Sequence, residues 1–240
     1  MNASPLSGLR IAVTGGTSGL GLALVEALQR EGASVAFLAR RADRVAAVAA
    51  RFPGTHGLAG DVSVKEDTHR LALRILAALG GLDVLIHNAS ALGPIPLAPL
   101  ADTDCEALEE ALATNLVGPF RLTKALLGAL TASAREGRPA LVIHIVSDAG
   151  AVAYPNWGAY GASKAALAHL SRIWDEELRP HGVRSLAIDP GDMDTPLHAL
   201  AVPGADPATL KKPEQSAAEI VALLEEHAHA RRDHAGTPAA

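Results

Sequence analysis

The 240-residue sequence predicts an α/β fold, a doubly wound parallel sheet of six strands with helices on both faces. Three observations carry this. Short apolar runs recur along the chain and are near-continuous rather than alternating, as in parallel strands covered on both sides. Helical periodicity fills the intervals, so strand and helix alternate and the crossovers are right-handed. A glycine cluster leaves the first apolar run and opens the first helical stretch, the strand–turn–helix that starts such a sheet. The expected strand order is 3-2-1-4-5-6.

The strands are assigned to Leu9–Thr14, Ser34–Ala39, Thr55–Ala59, Leu82–His87, Ala140–Val146 and Val183–Ile188, with Thr55–Ala59 the weakest pattern. The helices are assigned to Gly19–Glu31, Arg41–Arg51, Val64–Leu79, a single long Thr103–Arg135, Trp157–Arg179 and Glu214–His229. One domain spans 5–228, and 229–240, which carries no apolar run, is expected to be a disordered tail. Hydrophobic residues make up 49% and aromatics only 3%, so the core must be aliphatic. Acids and bases are dispersed at a net charge of −5, without the basic patch that nucleic-acid binding requires. The lone Cys105 excludes an internal disulfide and fits a reducing compartment. No apolar run reaches the roughly 18 residues of a membrane helix. Met1–Ser7 does not read as a signal peptide, so a cytoplasmic protein is expected.

The glycine cluster is Thr14-Gly15-Gly16-Thr17-Ser18-Gly19-Leu20-Gly21. Gly15 permits the tight turn out of the strand, Gly19 lets backbone approach a pyrophosphate, and Gly21 lets the helix pack close to the sheet. The helix start offers free N–H groups and a positive dipole end to phosphate. At the end of the second strand, an NAD site places a carboxylate for the ribose 2′-hydroxyl. Ala39 stands there, followed by Arg40 and Arg41, which can pair with a 2′-phosphate; NADP is the favoured cofactor. The alternative is that both arginines are a solvated first helical turn. Asp61, followed by Val62, can hold an adenine amino group. Otherwise this region merely caps the next helix, with Ser63 the better cap.

Tyr160 and Lys164 lie four apart in a helix and share a face. A phenol near pKa 10 is a poor proton donor at neutrality, and an adjacent ammonium plus an oxidised nicotinamide lowers it. That makes Tyr160 a candidate general acid–base. Taken alone, such a pair usually marks a surface helix. Ser147 ends the strand Ala140–Val146 at the carboxyl edge, where a hydroxyl can donate to a substrate oxygen. Asn115 falls inside the long helix, where a buried amide must be satisfied; it either kinks the helix and holds a water or is an ordinary exposed residue.

From about Leu9 to Thr195, the chain resembles the short-chain dehydrogenases/reductases in their single-domain, Rossmann-like, NADP-preferring form. The residues that carry the resemblance are the Thr14–Gly21 loop, Asn88-Ala89, Asn115, Ser147, the Tyr160–Lys164 pair and Pro190-Gly191-Asp192-Met193-Asp194-Thr195. It implies that Tyr160 is the acid–base, that Lys164 lowers its pKa and holds the nicotinamide ribose, and that Ser147 orients the substrate oxygen. Asn115 becomes the anchor of a water in a relay through Lys164. Thr17, Ser18 and Leu20 belong to the pyrophosphate turn. Asn88 and Ala89 lie beside the adenosine ribose, and Pro190, Gly191, Met193 and Thr195 form the loop over the nicotinamide. Ser18 stands where this variant often has a second basic residue, which leaves the 2′-phosphate mainly to Arg40 and Arg41.

Two departures stand out. Ser90 replaces a glycine expected after Asn88-Ala89, which bears on close approach to the cofactor. Asp148 follows Ser147 in place of a small polar residue; it either repels acidic substrates at the mouth or points away to cap a turn, and the second is the preferred reading. The family's seventh strand has no counterpart after His229, and with it goes one of two family interfaces. A homodimer through the helices carrying Asn115 and Tyr160 is therefore expected.

Cys105 at a helix start reads as inert. His227, His229 and His234 lack a framework for a metal, and catalysis is expected to need none. Trp157 is read as packing a helix start, and Tyr154 as an equal choice between substrate wall and surface. Leu92–Leu100 and a short lid, Pro196–Lys212, suggest an apolar pocket for a small or medium ketone or aldehyde. The expected activity is hydride transfer between NADP(H) and a carbonyl or alcohol carbon. The alternative from another class is a silent dinucleotide sensor or scaffold, which would not need Asn115, Ser147, Tyr160 and Lys164 together. Epimerase or dehydratase chemistry goes with longer chains.

Overall fold

The computed structural model describes residues 4–235. Six strands form one sheet: β1 (Arg10–Thr14), β2 (Ser34–Ala39), β3 (His56–Ala59), β4 (Val84–His87), β5 (Leu141–Ile145) and β6 (Arg184–Ile188). Their order is β3-β2-β1-β4-β5-β6, and every pairing is parallel. This is the order expected from the alternation of apolar runs and helices. The helices are α1 (Gly19–Arg30), α2 (Ala42–Arg51), α3 (Lys65–Leu79), α4 (Cys105–Leu112), α5 (Gly118–Arg135), α6 (Gly158–Leu178), the short α7 (Pro196–Ala201) and α8 (Pro213–Ala235).

The continuous apolar runs are explained by two cores, one on each face. Ile11, Val13, Val35, Phe37, Ile86 and Ile143 pack with Leu24 and Leu28 of α1 and with Ile220 and Leu224 of α8. Ala12, Ala36, Leu38, Leu85 and Val142, one residue out of phase, pack with Leu71 and Ile75 of α3 and Leu122, Leu126 and Leu130 of α5. Alternate residues of the central strands feed opposite cores, which is why their apolar runs are near-continuous.

Three expectations need correction. The long helix Thr103–Arg135 starts at Cys105 and is not uniformly α: a π-turn at Ala113–Val117 joins α4, which ends at Leu112, to α5, which starts at Gly118. Pro119 favours the π-turn, since it has no N–H to give the Asn115 carbonyl that an α-helical ladder would place opposite it. Gly118 meets the loop after β3 so closely that a Cβ there would lie 2.7 Å from the Val62 carbonyl oxygen. Second, Ser63 does not cap α3. Its N–H and hydroxyl both donate to Asp61 Oδ1, at 2.9 and 2.8 Å, and the cap position is Val64. Third, α8 runs on to Ala235, through most of the segment expected to be a tail; 236–240 lie outside the described residues.

A polar cluster staples the amino edge of the sheet. Asp83, wholly buried before β4, accepts from Arg10 at 2.7 Å, Arg138 at 2.7 Å and Ser133 at 2.8 Å. Burial pushes its carboxyl up, but the hydrogen bonds of Arg138 and Arg10 outweigh that and leave it at about 2. Under α5 and α6, His87 and His144 stack with ring centroids 5.0 Å apart. His87 Nε2 meets Thr123 Oγ1 at 2.8 Å, and His144 Nδ1 meets Ser171 Oγ at 3.1 Å. Burial holds His87 well below the ordinary imidazole range, helped by His144. Burial, with the Lys164 ammonium nearby, takes His144 down to about 3.

Two outcomes are expected. Asp83→Asn leaves Arg10 and Arg138 facing a neutral amide in a buried pocket. It should cost about 3 kcal/mol in urea unfolding, the low end for a broken buried ion pair because both guanidiniums reach solvent. The histidines are neutral in the fold and bind protons on unfolding. Their contribution is therefore complete above pH 6.5 and is lost as pH falls from 6.5 towards about 3. Stability measured across that window should fall less steeply in His144→Gln, by up to about 1.4 kcal/mol per pH unit.

Candidate active site

The carboxyl ends of the strands open into one cleft of about 600 Å³. At its dinucleotide end, β1 turns into α1 through Gly15, whose φ of +73° only glycine adopts readily. A Cβ on Gly21 would lie 2.2 Å from the Gly15 carbonyl oxygen, so the close helix–turn packing read from the sequence is a steric fact. Thr14 and Asn88 sew this turn to the loop after β4. Thr14 Oγ1 accepts from the Asn88 and Ala89 N–H groups, both at 3.0 Å. Asn88 Nδ2 donates to the Thr14 carbonyl at 2.9 Å. Thr14 was missed at the sequence level, where only its place in the glycine cluster pointed to it. The Ser18 side chain does not cap α1, and Thr17, Ser18, Gly19 and Leu20 line the cleft, so the helix start faces open space as a pyrophosphate cradle must.

At the far end of this groove lie Ala39, Arg40, Arg41 and Arg44. Arg41 is already engaged, its guanidinium on the Asp43 carboxylate at 2.6 Å. Arg44 also faces the cleft, which the sequence reading did not foresee; its spacing of four from Arg40 was the available signal. Asp61 and Val62 line the groove, with Asp61 Oδ1 occupied by Ser63. Ala89, Pro190, Gly191, Met193 and Thr195 complete the walls. The last of these sits on a strapped loop: Asp194 N–H donates to the Lys211 carbonyl at 2.9 Å, and Lys212 pairs with Asp194 at 2.8 Å.

The reactive end is set by α6. Tyr160 and Lys164 lie one turn apart and both line the cleft while being almost wholly buried. The Lys164 ammonium donates to the Ile145 carbonyl at 2.7 Å and stands 5.5 Å from the Tyr160 ring centre. Burial pushes the phenol up to about 12, opposed by the Ser90 and Ser147 hydroxyls nearby, with the Asp189 and Asp148 carboxylates adding to the rise. The chain's own groups therefore do not produce the lowered phenol expected from Lys164. Burial also takes Lys164 itself down to about 8, opposed by Asp189.

Asn115 does not line the cleft. It is fully buried in the π-turn, with four partners. Nδ2 donates to the Ala91 carbonyl and to Ser163 Oγ, both at 2.8 Å. Oδ1 accepts from the Ala91 N–H at 2.8 Å and from Ser90 Oγ at 3.2 Å. Its side chain is saturated, so a water-holding role does not fall to that amide. Instead it clamps the loop after β4 to α6.

Ser147 Oγ donates to Asp148 Oδ1 at 3.1 Å, and Tyr154 donates to Asp148 Oδ2 at 2.8 Å. Asp148 thus faces the cleft, against the preferred reading that it points away. With Asp189 and Asp192 it gives the cleft an acidic lining, alongside the apolar Leu92, Trp157, Leu197 and Val202. The expected apolar pocket is half of the picture. Trp157 both packs the start of α6, edge-on to Tyr160 at 5.7 Å, and lines the cleft, as does Tyr154.

Comparison with known proteins agrees with this geometry. The short chain dehydrogenase family model matches residues 10–205. The chain is 35% identical over 197 residues to 2,5-dichloro-2,5-cyclohexadiene-1,4-diol dehydrogenase of Sphingobium indicum, covering 81% of this chain and 76% of that protein. It superposes on a short-chain dehydrogenase from Shigella flexneri solved with NADP, at a TM-score of 0.82 and 29% identity over 89% of each chain. A second, from Escherichia coli CFT073 and solved with NADPH, gives 0.83 and 29% over 97% of this chain and 96% of that one. With the glycine turn, the strand order and the Tyr160–Lys164 helix in the places that such a site requires, the chain belongs to the short-chain dehydrogenase family.

Proposed function

We propose that this protein is an NADP(H)-dependent oxidoreductase acting between a carbonyl and an alcohol carbon. One observation carries the reading: Tyr160, Lys164 and Ser147 converge on one cleft whose other end is a glycine turn at an uncapped helix start. The bound nicotinamide supplies or accepts the hydride. Tyr160 gives its phenol proton to the substrate oxygen in reduction and takes it back in oxidation. Lys164 holds a positive charge beside that phenol, in a site dry enough for the charge to matter. The Ser147 hydroxyl turns from Asp148 to the substrate oxygen. Two structural neighbours, solved with NADP and with NADPH, support the phosphorylated cofactor. Arg40 and Arg44 are the residues we assign to its 2′-phosphate, with Arg41 shared with Asp43.

The walls favour a substrate with an apolar body and no carboxylate, since Asp148, Asp189 and Asp192 would repel one. A ring alcohol or ketone suits this shape, and the relative from Sphingobium indicum is named for a cyclic diol. We also infer a homodimer through α5 and α6. Phe120 and Ile173 are 38% and 41% exposed there, and Phe120 stacks on Trp174 at 5.8 Å.

Wild type should consume NADPH with a ketone and aldehyde panel, and Tyr160→Phe should lose that activity by at least roughly a hundredfold while still binding NADPH. Loss of either guanidinium, in Arg40→Ala or Arg44→Ala, should raise the KM for NADPH on the order of tenfold and leave NADH unchanged. Light scattering should return two chains per particle; a monomer or a tetramer would refute the interface.

A further inference from the structure

The Ser147 hydroxyl is committed before any substrate arrives. Its proton goes to Asp148 Oδ1 at 3.1 Å, and its oxygen accepts the Ala149 N–H at 3.2 Å. A hydroxyl has one proton and two lone pairs. What Ser147 has left over is therefore a lone pair, which a carbonyl oxygen cannot use. To donate to a substrate, Ser147 must turn from Asp148 and leave a carboxylate oxygen short of a donor. With an apolar substrate body against Leu92, Trp157 and Leu197, the substrate itself is the nearest group able to supply one.

Asp148 is held in place for that exchange. Tyr154 donates to its other oxygen, Oδ2, at 2.8 Å, which keeps the carboxylate at the cleft when Ser147 turns. Ser147 Oγ and Asp148 Oδ1 are 3.1 Å apart. A substrate that takes the proton of one and gives a proton to the other needs two oxygens about 3 Å apart. Staggered oxygens on adjacent carbons meet that spacing, and oxygens on opposite carbons of a cyclohexane ring do not. The exchange is of like for like. One neutral hydroxyl leaves the carboxylate and another replaces it, so the charge-assisted hydrogen bond is kept while the reacting oxygen gains a donor.

We propose that Asp148 determines the substrate class, by taking the hydroxyl next to the reacting carbon in exchange for Ser147, so that the enzyme works between an α-hydroxy ketone and a vicinal diol. The proposal rests on the oxidoreductase reading of the cleft. In reduction the nicotinamide hydride goes to the carbonyl carbon and the Tyr160 proton to the carbonyl oxygen, whose π electron pair forms the new O–H bond. The second hydroxyl and Ser147 keep their own protons throughout and change only their partners.

The test uses the full chain with NADPH and four ketones. In kcat/KM, 2-hydroxycyclohexanone should exceed cyclohexanone, 2-methoxycyclohexanone and 4-hydroxycyclohexanone by on the order of tenfold. The methoxy compound has no proton to give, and the 4-hydroxy compound has it in the wrong place. Asp148→Ala should bring these ratios to about one and raise turnover of cyclohexanone, because Ser147 loses its competitor. Binding is read separately by calorimetry on Tyr160→Phe saturated with NADP⁺. Cyclohexane-1,2-diol should bind on the order of tenfold more tightly than cyclohexanol, and adding Asp148→Ala should remove the difference. Equal kcat/KM for the hydroxylated and plain ketones, as when water takes the place of Ser147, overturns the proposal. A preference that survives Asp148→Ala overturns it too, as does a parallel loss on all four ketones, which would make the carboxylate structural only. If no ketone consumed NADPH, the oxidoreductase reading would fall instead, and the calorimetric comparison alone would decide whether Asp148 takes the second hydroxyl.

Discussion

The site depends on one buried amide. Asn115 has no exposure to water and must find four hydrogen bonds inside the protein. It finds them on both sides of the cleft floor, on Ala91 and Ser90 from the loop after β4 and on Ser163 from α6. Ser163 is the residue before Lys164, so the same amide that fixes the loop also fixes the turn of helix bearing the ammonium. Asn115 sits in the π-turn at Ala113–Val117, which Pro119 favours by withholding an N–H from the α-helical ladder. Truncating this amide would leave several buried donors and acceptors unmatched at once, which is why it acts on the site without touching the cleft.

A second seam holds the other end. Thr14 and Asn88 tie the glycine turn of β1 to the end of β4, and the Asn88 loop continues into Ser90 and Ala91. The cofactor groove and the acid–base site are thus two ends of one short loop, braced by Thr14 at its start and by Asn115 two residues further on. Electrostatics divides the labour. Burial raises the phenol and lowers the ammonium, so the unbound chain holds both nearer neutrality, and a positively charged ring beside them shifts the phenol in the direction that catalysis needs.

Much of this was legible in the sequence, for physical reasons. Strands buried on both faces must be continuously apolar, and strand order follows from alternating crossovers, so all six strands and their order could be read in advance. Gly15 and Gly21 were readable because glycine adopts a φ of +73° most readily and because a side chain has no room where a Cβ would lie 2.2 Å from a carbonyl oxygen. Tyr160 and Lys164 were readable from helical spacing. What was not legible is which of several available partners each polar side chain takes. The four bonds of Asn115, the turn of Ser63 towards Asp61, and the capture of Arg41 by Asp43 are choices among local alternatives of similar energy. The direction of Asp148 was misjudged because Tyr154, its partner, reaches it only once the loop before α6 is folded. Pro119 was a signal of the π-turn that helical periodicity overrode.

The account rests on hydride transfer at a site where Tyr160 handles the proton. The most direct measurement supplies NADPH carrying deuterium on the transferable position of the nicotinamide, with a cyclic ketone, and reads the alcohol by mass spectrometry. The account predicts the label on the carbinol carbon, formed by the wild type and not by Tyr160→Phe. Alcohol formed without the label, or labelled alcohol formed equally well by Tyr160→Phe, would contradict it.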